Sequence, residues 1–286
     1  MAVLPAAAIG DFTLLDRLGS GGMGTVYKAT QRSKDRTVAL KVLHAELTQR
    51  PGFVSRFHRE VRMMGRLTHP HVVRCFAAGQ ADGHVYLAME LADAGSVGDW
   101  VKRLGRLPVG DAVRVARDTA VALGYAHGLS LIHRDVKPDN ILLTAAGGVK
   151  LADLGLAKAT DDSDTAMTQT GVGIGTPLYA PPEQIVDAKR ADPRSDLYAL
   201  GGVLYFCLTG RPPFPAGSLV ELLQAKEKGE FPSARSVERG VPVGLDRIVG
   251  RLLAKEPDAR YQSADELVRD LDWPGLAAPT LSFLAT

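Results

Sequence analysis

Cysteine is scarce in this 286-residue chain: there are two, Cys75 and Cys207, far apart in sequence. Two thiols are too few for a disulfide framework, so both read as reduced core residues. Charge of one sign is also missing. The net charge of +2 gives no broad field for nucleic acid or for an anionic membrane. No stretch reaches the roughly 18 apolar residues of a membrane helix, and Met1–Ile9 is too short and lacks the basic region of a signal peptide. Internal repeats and low-complexity tracts are absent as well. Aromatic residues make up only 6%, yet hydrophobic residues make up 45% and charged residues 23%, which excludes a disordered or fibrous chain. The length admits one large domain or two lobes.

The first third reads as strands. Phe12–Leu15, Gly24–Ala29, Thr37–Leu43 and Val85–Met89 are short and rich in β-branched or aromatic residues. One helix interrupts them, with Phe53, Phe57, Val61, Met64 and Leu67 at helical spacing and Thr68-His69-Pro70 closing it. After Ala92–Ser96 the pattern turns helical. Val109 to His127 forms a long amphipathic run, Leu197 to Leu208 a buried one, and Leu245–Leu253 and Ala264–Leu271 two more. The expected architecture is α+β: a strand-rich small lobe at about 11–92, a hinge near 90–95, and a helical large lobe at about 93–273. Residues 274–286, broken by Pro274 and Pro279, read as a tail or linker. Ligands commonly sit in the cleft between two lobes.

The chemistry concentrates in His133-Arg134-Asp135-Val136-Lys137-Pro138-Asp139-Asn140, followed thirteen residues later by Asp153-Leu154-Gly155. This supplies a carboxylate base for a hydroxyl proton, a cation for a moving phosphate, and two oxygen donors for Mg²⁺, which are the parts phosphoryl transfer needs. Upstream, Gly19-Ser20-Gly21-Gly22-Met23-Gly24-Thr25-Val26 can bring backbone N–H groups close to phosphates with no side chain in the way. Dinucleotide-binding folds use a similar run. Here strands flank it on both sides, no helix opens at its last glycine, and Lys41 follows in Val38-Ala39-Leu40-Lys41.

These motifs, in this order, resemble the bacterial eukaryotic-like serine/threonine protein kinases across roughly residues 11–273. The resemblance implies a bilobal protein kinase fold, with a small antiparallel-sheet lobe carrying one main helix and a larger helical lobe. It implies that Asp135 is the catalytic base, that Lys137 neutralises charge on the γ-phosphoryl group, and that Lys41, held by Glu60, meets the α- and β-phosphates. Asn140 and Asp153 would hold Mg²⁺, with Mn²⁺ as an alternative ion. ATP would lie under the Gly19, Ser20, Gly21, Gly22 and Gly24 loop, its adenine between Leu18, Val26, Ala39 and Leu142, with Met89 as gatekeeper and the backbone of Glu90 and Ala92 at its edge.

By the same resemblance His133 is a core residue and not a base, stacked with Met64, Cys75 and Leu154. Gly175-Thr176-Pro177 to Glu183 would receive the substrate, with Thr176 bonding Asp135 and Lys137. Thr168 and Thr170 would be activation-loop phosphosites, Thr165 a weaker candidate, and Arg134 the residue that reads the phosphate. Glu183 should pair with Arg260, and Asp196 should brace the catalytic loop. Leu154 and Pro181 depart from the family's usual phenylalanine and alanine.

The implied activity is transfer of the γ-phosphoryl group of ATP to serine or threonine hydroxyls of protein substrates, including the chain's own activation loop. A homodimer could serve that self-modification. The implied location is the cytoplasm, either free or as the cytoplasmic part of a larger membrane protein. Two other readings compete: a nucleotide-binding pseudokinase or scaffold, and a small-molecule kinase of similar fold. The first would be expected to lack Lys41, Asp135, Asn140 or Asp153, and all four are present. The second would be expected to lack the Gly-Thr-Pro to Pro-Glu segment.

Overall fold

Strand propensity and alternation build the first lobe. The computed structural model describes residues 8–154, 177–215, 217–272 and 275–284. Six antiparallel strands run β1 (Ala8–Ile9), β2 (Phe12–Gly21), β3 (Gly24–Gln31), β4 (Arg36–Leu43), β5 (Cys75–Ala81) and β6 (His84–Met89), in the spatial order β1-β2-β3-β4-β6-β5. The short helix α1 (Ala45–Thr48) and the longer α2 (Phe53–Met64) follow β4. Alternate side chains divide between the two faces of the sheet. Val85, Leu87 and Met89 pack with Phe53, Phe57, Val61 and Met64 of α2, while Ala88 packs with Phe12, Val38 and Leu40 on the other face.

Strand β5 is absent from the sequence expectation. Its Cys-Phe-Ala-Ala-Gly-Gln-Ala run has no β-branched residue, so propensity gives no signal. Pairing and packing make it a strand. Gly79 lies under Tyr86, where an added Cβ would come within 2.7 Å of the phenol oxygen.

The second lobe is built on α3 (Val97–Leu104), α4 (Val109–Gly128), α5 (Pro182–Val186), α6 (Pro193–Thr209), α7 (Leu219–Lys228), α8 (Ala234–Val237), α9 (Val243–Leu252) and α10 (Ala264–Asp272), with a small hairpin of β7 (Ile141–Leu143) and β8 (Val149–Leu151). Helices α4 and α6 form its centre. Helix α6 is buried on nearly every side, which explains its continuous apolar run. Gly201 allows α6 to approach α9, since a Cβ there would lie 2.5 Å from that of Leu252. The start of α6 is specified locally. Asp192 and Ser195 form a reciprocal capping box, and Pro193 occupies the first turn. The sequence reading did not include α1, α3, α5, α7 or α8.

The lobes meet through backbone pairing. Val73 N–H donates to Leu151 O at 2.9 Å, and Leu151 N–H to His71 O at 2.8 Å. Lys150 adds an ion pair to Glu90 at 2.7 Å. The helical lobe also includes residues 275–284, read from the sequence as tail or linker. Ala278 N–H donates to Gly110 O at 3.0 Å, Arg114 donates to Ala278 O at 3.2 Å, and Ser282 donates through both its amide and its hydroxyl to Asp111. Leu281 and Phe283 are buried, and the Phe283 ring lies 5.0 Å from that of Trp100.

If this strap belongs to the cooperative core, Phe283→Ala should lower the unfolding free energy by about 3 kcal/mol. Urea denaturation followed by circular dichroism measures this. An unchanged midpoint would show that the strap contributes nothing to the core.

Candidate active site

Residues 18–26 form the hairpin end of β2 and β3, where Gly21 pairs with Gly24 across the turn. The glycines fall into two kinds. A Cβ on Gly24 would sit 2.2 Å from the carbonyl oxygen of Val42, so packing on β4 requires a glycine there. A Cβ on Gly19, Gly21 or Gly22 would meet nothing within 4 Å, and none of the three has a positive φ. Neither packing nor backbone strain accounts for those three. Open space beside bare backbone N–H groups suits a phosphate chain.

Below the hairpin, Ala39 and Met89 are cross-strand partners, and both are buried. Val26 pairs with Lys41 on the neighbouring strand. Leu142 lies on β7, and Leu18 is half exposed. The Ala92 N–H has no hydrogen-bond partner among the described residues. The Glu90 side chain is engaged by Lys150 and by the Arg74 N–H, so only its backbone is left to meet a ligand.

Lys41 differs from the expectation. Its Nζ donates to both oxygens of Asp153, at 2.9 and 2.8 Å. Glu60, buried on α2, instead accepts from Arg59 Nε at 3.3 Å. Asp153 itself sits in a left-handed backbone conformation, φ 58°. Burial works to raise the Asp153 carboxyl pKa. The charge and hydrogen bonds of Lys41 outweigh it, with His133 and Lys137 adding to them, and hold it below the ordinary value.

The loop around residue 135 folds about its own polar groups. Lys137 Nζ lies 2.8 Å from Asp135 Oδ2. Asn140 Nδ2 donates to Asp135 O at 2.8 Å and to Oδ2 at 3.0 Å. That commitment of the amide nitrogen leaves the Asn140 carbonyl oxygen as the ligand-forming end. Asp135, Lys137 and Asn140 are thus gathered in one cluster, while Lys41 and Asp153 form a second.

Asp196, in the first turn of α6 and 1% exposed, holds the loop from beneath. It accepts from the His133 N–H at 2.9 Å, the Arg134 N–H at 2.8 Å and His127 Nε2 at 2.8 Å. Arg134 sits at φ 68°, a left-handed conformation that a bulky residue adopts only when its surroundings fix it. Its carbonyl is also fixed, by Gln184 Nε2 at 2.6 Å. His133 is fully buried, and its Nε2 meets Ala152 O at 2.8 Å. Met64 and Cys75 pack in the small-lobe core, whereas Leu154 belongs to the large-lobe core.

Glu183 and Arg260 make a two-pronged pair at 2.7 and 3.0 Å, and Ser195 Oγ adds a bond to Glu183 at 3.1 Å. Thr165, Thr168, Thr170, Gly175 and Thr176 lie outside the described residues. Sequence reasoning missed the Gln184 contact and the buried Lys226 of α7. The signal for Lys226 is its spacing of four residues from Leu222, which gives a lysine a core position on a helix.

Asp196→Asn should leave one of the two loop N–H groups facing an amide donor instead of an acceptor. The expected stability loss is about 1–3 kcal/mol, with turnover falling more than nucleotide affinity. Chemical denaturation and nucleotide titration measure the two effects, and wild-type stability in the variant would contradict the bracing role.

Residues 12–271 match the family model described as Protein kinase domain. The serine/threonine-protein kinase PknH of Mycobacterium tuberculosis is 40% identical over 258 residues, covering 90% of this chain and 41% of PknH. PknB of Mycobacterium leprae is 41% identical over 266 residues, covering 91% of this chain and 42% of PknB. PknD of M. tuberculosis is 39% identical over 259 residues, covering 90% of this chain and 39% of PknD. The chain spans about two fifths of the length of these curated relatives. By the extent of these matches and the two-lobed fold beneath them, the chain belongs to the protein kinase domain family.

Proposed function

We propose that the chain transfers the γ-phosphoryl group of ATP to serine or threonine hydroxyls of proteins. The observation that carries this reading is the cluster of Asp135, Lys137 and Asn140, held in one geometry by Asp196. Asp135 orients the acceptor hydroxyl and takes its proton as the bond to phosphorus forms. Lys137, 2.8 Å away, supplies charge beside the moving phosphoryl group. Asn140 fixes the Asp135 carboxylate and so keeps the base aimed at the acceptor. Lys41 pairs with the α- and β-phosphates. Lys41 is itself buried, and its Nζ is held 2.8 Å from Asp153 Oδ2.

Asn140 and Asp153 are a two-oxygen donor set, which suits a Mg²⁺ ion whose other ligands are phosphate oxygens and water. When bound, that ion supplies positive charge to the β- and γ-phosphates. Phosphorylation of Thr168 and Thr170, read through Arg134, is the regulatory step we assign to the activation segment. A phosphate there adds about −1.5 to −2 charge and three acceptor oxygens. Self-modification between two copies and a cytoplasmic setting accompany this reading. Among the described residues no helix is long and apolar enough to cross a membrane.

Asp135→Asn should cut kcat by about 10²–10⁴-fold while leaving ATP affinity nearly unchanged. Retention of more than half the wild-type kcat would remove Asp135 from its role. Asp153→Ala should instead weaken Mg²⁺-dependent ATP binding and depress transfer even at saturating ATP. Calorimetry with and without Mg²⁺ separates the two variants, and normal Mg²⁺-dependent binding by Asp153→Ala would overturn the metal assignment.

A further inference from the structure

Lys226 stands where the spacing of α7 calls for an apolar residue. It is 1% exposed and Leu222, one turn earlier, is fully buried. Its Nζ donates to Leu178 O at 3.0 Å and to Ala180 O. The same ammonium lies 5.3 Å from the ring centroid of Tyr198 and 5.7 Å from that of Phe214. Burying an ammonium is costly, and an unbranched apolar side chain would fill the space without that cost. What the amine adds is a hold on two carbonyls in residues 177–180, a turn belonging to no helix or strand. Left without a donor, each buried carbonyl would itself be unfavourable.

The segment is held at a second point by the Arg260–Glu183 pair, three residues after Ala180. Its backbone is therefore fixed from α7 on one side and from the residues before α10 on the other. This is the stretch that leads from Thr176 toward α5, beside the Asp135 loop, whose Arg134 carbonyl is tied to Gln184 of α5.

We propose that Lys226 is a positioning residue for the protein substrate: its ammonium fixes the backbone of Leu178–Ala180, so that the surface receiving the acceptor segment is formed before the acceptor arrives. This rests on the protein-kinase reading above. It adds a residue that touches neither ATP nor the transferred group.

The charge on Lys226 is itself adjustable. Burial lowers its pKa to about 7, the Glu183 carboxylate works to raise it, and Arg260 adds to the lowering. The groups facing it are Glu183 of α5, Arg260 before α10, and the ring of Tyr198 of α6, whose hydroxyl pKa burial raises. Below about pH 7 the amine is charged and grips the carbonyls through charge-assisted bonds. Above it the bonds remain but weaken. The grip should loosen as pH rises.

The test compares the full chain with Lys226→Met and Lys226→Arg, using myelin basic protein as acceptor and following amide exchange in residues 177–184. Lys226→Met should raise the acceptor KM at least about tenfold while the ATP KM stays within about twofold, and exchange in this segment should quicken. Lys226→Arg should restore most of the acceptor KM. In the wild type the acceptor KM should rise from pH 6 to 8.5 while the ATP KM does not, a measurement that stands even if the Met variant does not fold. A folded Met variant with unchanged acceptor KM and exchange would overturn the proposal. So would equal rises in both KM values, or a flat wild-type pH profile. Absence of transfer by the wild type would overturn the kinase reading and the substrate role together. Faster exchange in Lys226→Met would then still report the grip on its own.

Discussion

Two successive peptide N–H groups, those of His133 and Arg134, end on one buried carboxylate. This contact of Asp196 sets the direction of everything that follows in the loop. It holds Arg134 in a left-handed conformation, and the next residue is Asp135. The contact depends in turn on where α6 begins. Asp192, Pro193 and Ser195 fix that start, placing Asp196 in the first turn, where the helix dipole favours negative charge. A local capping signal thus becomes the position of a proposed catalytic base more than fifty residues earlier in the chain.

The large lobe gathers charge in a second place. Arg260 and Lys226 bring two cations to the pocket of one anion, Glu183. The excess is met by backbone. Ala254 and Lys255 carbonyls accept from Arg260, and Leu178 and Ala180 carbonyls accept from Lys226. Buried ions seldom raise stability beyond what apolar packing would give. Their effect here is geometric, since each fixes a stretch of chain that no helix or sheet ladder fixes.

Much of this was legible beforehand. The strands from Phe12 to Leu43, the helix at Phe53 and four further helical runs follow from alternation and period, which burial enforces. The Asp135, Asn140 and Asp153 motif is compact enough in sequence to mark the site. What escaped lacked local cause. Strand β5 has no β-branched residue and is made by its partner β6. The bond of Lys41 to Asp153 spans more than a hundred residues, a separation at which no local pattern announces a partner. Lys226 escaped with α7 itself, and its two carbonyl partners lie in a turn that periodicity does not describe. The strap at 275–284 was hidden by Pro279 and by Pro274 just before the strap in sequence, although Leu281 and Phe283 complete the core against α3 and α4.

The glycine loop unites two constraints under one pattern. Gly24 answers to Val42 and hence to packing, whereas a Cβ on Gly19, Gly21 or Gly22 would meet nothing within 4 Å. A library selected for folding alone would retain the first and let the other three drift, and its survivors would look sound by every measure of stability. Under the proposed function, selection through the nucleotide would hold all four. On the proposed function, substitutions at Gly19, Gly21 and Gly22 would register in nucleotide affinity without a steric clash, whereas one at Gly24 would register first in the packing of β3 on β4.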